Sequence, residues 1–257
     1  MPRPLTLTPI TAVPLIQRGD DLVEILLRSL SDSGIILQDG DILVLAQKIV
    51  SKAEGRMVRL GDITPGPQAV ELAARAGKDP RFVELVLQES AEVLRVRPGT
   101  IIVQHRLGFV CANAGIDHSN VAGSSGAEPE CALLLPKDPD RSADLIRERI
   151  RGRLAVDPGV AIIDSHGRAW RNGTVGVAIG LSGIPGLVDL RGKPDLFGYK
   201  LRITQVGAAD ELAAAASLVM GQAAEGTPAV HVRGFPYPLG EGSLQELIRP
   251  KEQDLFR

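Results

Sequence analysis

Apolar positions along the 257-residue chain change their period several times, and each change marks an element. Leu22, Ile25, Leu26 and Leu30 recur at helical spacing behind Asp20 and Asp21, acids suited to the positive end of a helix. Upstream, Leu5–Ile16 is Thr-rich and β-branched but interrupted by prolines, which predicts an edge strand or strand pair. The Asp39-Gly40 turn leads into Asp41–Ala46, an apolar run short enough to be a buried strand. Helical spacing returns at Gln68–Ala76 and Arg81–Val93, split by Asp79-Pro80. Thr100–Gln104 and Gly108–Ala112 read as a hairpin, and Leu133–Leu135 as a brief strand. Asp138-Pro139-Asp140 caps a charged helix that runs to Leu154. Val160–Ile163, Val175–Leu181 and Leu201–Val206 are strands by composition, Ala208–Ala223 is an Ala-rich helix, and Pro228–Val232 is a last strand. From Gly240 onward the chain is polar and reads as a surface tail.

Helices and strands thus mix without strict βαβ alternation, which favours an α+β fold over a doubly wound parallel sheet. The length suits one domain, 1–257, of one or two lobes, with the weak candidate boundaries near Gly167 and Gly183. With 44% hydrophobic and 23% charged residues the chain has the make-up of a globular protein, not a disordered one. A net charge of −2 and only one Trp, two Tyr and five Phe leave neither a general basic grip on nucleic acid nor a set of stacking platforms. No apolar run reaches the ~18–20 residues of a membrane span, and the N-terminus lacks the regions of a signal peptide. Cys111 and Cys131 are expected to stay thiols in the cytoplasm. The 28 Gly and 18 Pro are too dispersed for a linker and too many for a helical bundle, so the chain must turn often.

Familiar signatures are absent: there is no P-loop, no H-E-x-x-H, no C-x-x-C and no G-x-S-x-G, and the glycines of Gly180–Gly186 have the wrong spacing for a dinucleotide fingerprint. Four polar clusters carry the chemistry that remains. Gln47–Arg56 leaves an apolar strand with Lys48 and Lys52, point charges suited to phosphate, although taken alone the cluster reads more simply as an ordinary solvated strand-to-loop exit. Cys111–Asn120 holds Asp117 and Asn120, hard oxygen donors suited to Mg2+ or Mn2+, or else an Asx-type turn. Ile162–Arg171 ends a buried strand with Asp164, Ser165 and His166 followed by Arg168 and Arg171, a rigid ligand mount or a hairpin turn with Trp170 as a core plug. Met220–Thr227 closes the Ala-rich helix with Gly221, Gln222 and Gly226, which suits close approach to a ligand or a plain glycine cap.

In order along the chain, these segments resemble one known family, the coenzyme F420-0:L-glutamate ligases (F420:gamma-glutamyl ligases). The likeness runs from Val13-Pro14-Leu15-Ile16 and Gly19-Asp20-Asp21 through Lys48–Arg56, Asn113–Val121, Leu133–Pro136 with Asp138–Asp140, Asp164–Arg168, Val177–Gly180, Leu218–Gly226 and Val232–Gly234. The resemblance implies an α+β fold particular to the family, an intertwined homodimer, and a GTP-dependent amide ligase of F420 biosynthesis. In that reaction the γ-phosphoryl of GTP passes to the carboxylate of F420-0, and the amine of L-glutamate displaces phosphate; a second cycle acts on F420-1. It places divalent metal ligands, for two Mg2+ or Mn2+ ions, on Asp117, Asp164, Ser165 and Gln222. Contacts to GTP fall on Val13, Pro14, Leu15, Ile16, Gln47, Lys48, Lys52, Asn120 and the segment Met220, Gly221, Gln222, Ala223, Ala224, Glu225, Gly226 and Thr227. Lys52, Asp117 and Asp164 become the catalytic group, and K+ a further cofactor. Ser165 stands where Thr is usual and Gln222 where an acid can occur, so one negative charge is missing from the expected set. Residues Arg249–Arg257 are similar to the junction at which bacterial members continue into a flavin-dependent reductase, an activity not expected of this chain. A non-catalytic nucleotide-binding protein of the same fold, and a ligase acting on a dehydro or otherwise modified precursor, remain the competing readings.

Overall fold

The computed structural model describes residues 4–117 and 130–254. In chain order the elements are β1 (Thr6–Pro9), α1 (Leu22–Asp32), β2 (Ile42–Ala46), α2 (Gln47–Ala53), β3 (Met57–Arg59), α3 (Pro67–Ala76), α4 (Pro80–Gln88), β4 (Ser90–Arg97), β5 (Thr100–His105) and β6 (Val110–Ala112). They continue as β7 (Cys131–Leu133), α5 (Pro139–Leu154), β8 (Gly159–Arg168), β9 (Arg171–Ser182), β10 (Val188–Asp189), β11 (Gln205–Val206), α6 (Ala208–Met220) and β12 (Ala229–Arg233). The chain is α+β, with mixed sheets. Three helices start on an aspartate whose carboxylate accepts a first-turn N–H: Asp21 from Glu24, Asp79 from Arg81 and Asp138 from Arg141. In α4 and α5 a proline follows the cap, where its missing N–H loses no helical bond.

The central sheet has the order β1-β12-β2-β8-β9. Strands β2 and β8 run parallel and every other neighbouring pair is antiparallel. The parallel pair is buried on both faces, which is why Ile42–Leu45 and Val160–Ile163 are unbroken apolar runs. On one face, α1 and α5 pack Leu22, Leu26, Leu30, Ile146 and Ile150 against Leu43, Leu45, Val160 and Ile162. On the other, α6 packs Leu212, Ala213 and Ala216 against Val44, Ile163 and Ala178. A bulge shifts the β8–β9 register between Ile162 and Ile163, so that Gly176 and Gly180 of β9 face opposite layers. A Cβ on Gly176 would lie 2.4 Å from the Ala213 carbonyl oxygen of α6, and one on Gly180 2.5 Å from Pro139 of α5. At these two positions glycine serves the close approach of helix to sheet. A third cluster, with Leu72, Phe82, Val86, Ile101 and Val103, lies between α3, α4 and the β4-β5-β6 sheet.

Several expected boundaries shift. Thr6–Pro9 alone forms the first strand. The helix expected to reach Val93 stops at Gln88, and Ser90–Arg97 pairs with β5 instead. Leu201–Val206 is extended only at Gln205–Val206. The Ala-rich helix ends at Met220, three residues short of Ala223, where Gly221 turns with φ +74°. The C-terminal segment is largely exposed but anchored at one place: Leu244 is buried and its N–H donates to Asp140, while Glu246 accepts the N–H groups of Gly186 and Leu187. Both cysteines are free thiols.

Candidate active site

Strand direction explains why distant segments meet. Because β2 and β8 are parallel, with Ala46 opposite Ile163, β2 ends where β8 runs on past it, still paired with β9. Gln47 and Lys48 follow the end of β2, and Asp164 and Ser165 are the next residues of β8. Strand β12 is antiparallel to β2 and begins opposite Leu45, so the loop that feeds it arrives at the same edge. Strand β1 is antiparallel to β12 in turn, and its exit carries Val13–Ile16 to that edge as well. The carboxyl edge of a parallel pair is a common place for a ligand crevice in open sheets, and here it opens into a cavity of about 580 Å³.

The cavity wall includes Val13, Pro14, Leu15, Ile16, Gln47, Lys48, Lys52, Asp117, Asp164, Ser165 and all of Met220–Thr227. Asn120 lies outside the described residues. Every other residue that the resemblance assigns to GTP, metal or catalysis therefore borders one cavity, whereas Arg168 and Arg171 do not line it. Residues Gln47–Ala53, expected as a polar strand exit, form helix α2. Its Ile49 and Val50 are buried in the core. Lys48 and Lys52, four residues apart on the helix, share the cavity side. Burial and the neighbouring Lys48 charge push the Lys52 ammonium below its ordinary pKa, an arrangement that a bound anion relieves.

Asp117 is held from two sides. Its Oδ2 accepts a 2.8 Å hydrogen bond from Gln47 Nε2 and lies 3.4 Å from Lys48 Nζ. Ser51, one turn along α2, donates to Gln47 Oε1 at 2.8 Å, so both ends of the buried Gln47 amide are engaged. The strand-like pairing of Asp117 with Leu133 fixes the backbone. Burial foremost, and then the charge of Asp164, push the Asp117 carboxyl up to about 6 despite Lys48 and Gln47. A carboxylate whose ionisation is opposed by burial and by a second carboxylate marks a site in need of positive charge.

Ser165 and Gln222 complete the set expected to hold metal. Ser165 Oγ donates to Gln222 Oε1 at 2.9 Å, and Gln222 Nε2 donates to Ser217 Oγ at 2.9 Å. Among the described residues no three His, Cys, Asp or Glu side chains group as a metal cluster. The candidate set is instead two carboxylates, a hydroxyl and an amide oxygen, all hard oxygen donors that fit Mg2+ or Mn2+ better than a soft metal. Ser51 and Ser217 carry no role in the sequence reading, and His166 only a place in the polar cluster that ends β8. Ser51 was findable by its spacing from Gln47, since residues four apart on a helix touch.

Trp170 is not a core plug. It sits at the tip of the β8–β9 hairpin with φ +62° and 89% of its surface exposed. Arg168 and Arg171 flank it, and Gly167 pairs with Thr174 inside the hairpin.

A sequence model of the F420-0:gamma-glutamyl ligase family matches residues 11–234. The chain is 46% identical over 255 residues to the coenzyme F420:L-glutamate ligase of Methanothermobacter thermautotrophicus, covering 98% of this chain and 99% of that one. It is 47% identical to the protein of the same name from Methanopyrus kandleri, covering 98% of each. To that from Archaeoglobus fulgidus it is 45% identical, covering 97% and 95%. With the match spanning every segment that borders the cavity, the chain belongs to the F420-0:gamma-glutamyl ligase family.

Proposed function

We propose that this protein is an enzyme of coenzyme F420 biosynthesis, a GTP-dependent ligase that joins L-glutamate to F420-0 and, by a γ-linkage, to F420-1. The observation that carries this reading is that Lys48, Lys52, Asp117 and Asp164 line one cavity beside two loops. The family membership of the chain supports it.

A carboxylate is inert to amines at neutral pH, so it must first gain a leaving group. An acceptor carboxylate oxygen attacks the γ-phosphorus of GTP, the bond to the β-phosphate oxygen breaks, and GDP leaves. The glutamate nitrogen then attacks the acyl carbon, the carbon–oxygen bond to phosphate breaks, and the amine gives up a proton. Both steps bring anions together, and fixed positive charge at that point lowers the barrier. Lys52 and Lys48 supply it from α2, and Lys52 is the side chain assigned to the transferring phosphoryl. Asp117, Asp164, Ser165 and Gln222 are assigned to two Mg2+ or Mn2+ ions, which when bound would screen phosphate charge and polarise the transferring group. Gln47 holds Asp117 in place. The Val13–Ile16 and Met220–Thr227 loops flank the space assigned to the nucleotide. No described side chain is assigned to K+.

The enzyme works as a homodimer in this reading. Trp170, Leu196, Phe197 and Ile203 are each about nine-tenths exposed, apolar surface that a partner subunit would cover. Among the described residues no helix is long and apolar enough to cross a membrane, and free Cys111 and Cys131 suit a reducing cytoplasm.

Isotope transfer tests the chemistry. Acceptor carrying heavy oxygen in its carboxylate should pass one label to the released phosphate; label retained wholly in the amide product and water would rule out the acyl phosphate. Asp117→Ala and Asp164→Ala should each abolish turnover, and turnover at the wild-type rate in either would remove that residue from the site.

A further inference from the structure

Asp164 has a neighbour whose place follows from strand geometry alone. Successive side chains of a strand point to opposite faces, so residues two apart share a face. Asp164 opposite Val177 and His166 opposite Val175 are regularly paired in β8, with no register shift between them. The shared face brings His166 Nε2 to 3.0 Å from Asp164 Oδ2. An ionised carboxylate can only accept, so Nε2 carries the hydrogen. The side chains are only 12% and 9% exposed for Asp164 and His166.

The imidazole is itself fixed from behind. The Phe109 ring packs on His166 at 5.1 Å between centroids, tilted by 49°, and also stacks on His105 at 5.1 Å and 8°. His105 is tied down by Leu107, whose N–H donates to Nδ1 at 3.0 Å. The row ends on Glu89, a buried carboxylate that accepts from Arg56 and Arg106. None of these groups except Asp164 and His166 borders the cavity, so the row is a backing wall.

We propose that His166 is a positioning residue for Asp164. By engaging Oδ2 it sets the rotation of the carboxylate and leaves the other oxygen for a cation, while Phe109 keeps the imidazole from turning away. This inference rests on the reading that Asp164 helps hold a divalent ion.

The test measures Mn2+ binding in the presence of GDP, by the electron paramagnetic resonance of free Mn2+, with thermal unfolding recorded for each variant. His166→Leu keeps apolar packing against Phe109 but has no donor, and should bind Mn2+ about 10–100-fold more weakly. His166→Gln restores an N–H near the place of Nε2 and should recover most of that loss. Turnover of His166→Leu should show a fall in kcat with the KM for L-glutamate unchanged. Wild-type affinity in His166→Leu, or Gln and Leu variants equally weak, would overturn the proposal. If His166→Leu does not fold, Phe109→Leu takes its place: weaker Mn2+ binding supports the clamp, and unchanged binding overturns it. Wild-type protein that binds no Mn2+, or an Asp164→Asn variant that binds it normally, would bring down the metal reading itself. That result differs from failure of the His166 variants alone.

Discussion

His105 should make the fold acid-labile, through a tautomer that the backbone dictates. Its Nδ1 accepts the Leu107 N–H at 3.0 Å, so the hydrogen of the neutral ring is on Nε2. Adding a proton would place it on Nδ1, directly against that N–H. Nε2 lies 3.7 Å from Glu89 Oε2, beyond hydrogen-bond reach, and Arg56 and Arg106 already neutralise Glu89. Burial, foremost, therefore pushes the His105 pKa from its ordinary 6.5 down to about 4. Because the folded value is the lower one, the unfolded chain takes up the proton first as pH falls. The stabilisation is complete above pH ~6.5 and disappears progressively toward pH ~4. At about 1.4 kcal/mol per pH unit it amounts to about 3 kcal/mol, a large share of a typical domain's stability. Urea unfolding at pH 7, 6, 5 and 4 reads the slope. His105→Asn keeps an oxygen where Nδ1 accepts but has no group that titrates. Whatever its absolute stability, it should lose about 3 kcal/mol less than wild type between pH 7 and pH 4. Equal losses in the two proteins would refute the argument.

Other parts of the structure are open to similarly direct tests. Gly176→Ala should destabilise by about 1–3 kcal/mol in denaturant unfolding, since its Cβ would meet the α6 backbone; an unchanged midpoint would show that the helix has room to move. Gln47→Leu should cost about 1–3 kcal/mol by stranding the buried Ser51 hydroxyl. The double variant with Ser51→Ala should regain part of that loss, and strictly additive losses would contradict the pairing. Phe197→Asp, at a side chain 94% exposed, should leave the subunit folded. Light scattering should then report the mass of one chain in place of two, and an undiminished twofold mass would exclude this surface from the dimer contact.

The elements easiest to foresee were those in which one physical signal acts alone. Asp138-Pro139 announces α5 because aspartate caps and proline tolerates the first turn, and the helix begins there. The apolar run before Gln47 announces a strand buried on both faces, as β2 is. Readings failed where two periods overlap or where long-range contact decides. Val93, Leu94 and Val96 satisfy a helix as well as a strand, and only pairing across Pro98-Gly99 with β5 selects the strand. Helix α2 has seven residues, too few for periodicity to separate it from a polar loop. Of the two readings open at Ile162–Arg171, the hairpin turn is present, but Trp170 does not plug the core, because a hairpin tip offers nothing to bury it against. At the candidate site, the ordered motifs picked out residues that line one cavity, but not their geometry. That Gln47 would hold Asp117, or that His166 would reach Asp164, depends on the strand order and on the shared face of β8.

The measurement that tests the central claim most directly is a mass-resolved chromatographic assay of the protein with GTP, Mn2+, L-glutamate and F420-0. The account predicts stepwise appearance of F420-1 and then F420-2, with GDP and phosphate formed in proportion and no product when GTP is withheld. Unchanged F420-0 after prolonged incubation with folded, Mn2+-binding protein, or glutamyl addition without GTP consumption, would contradict it.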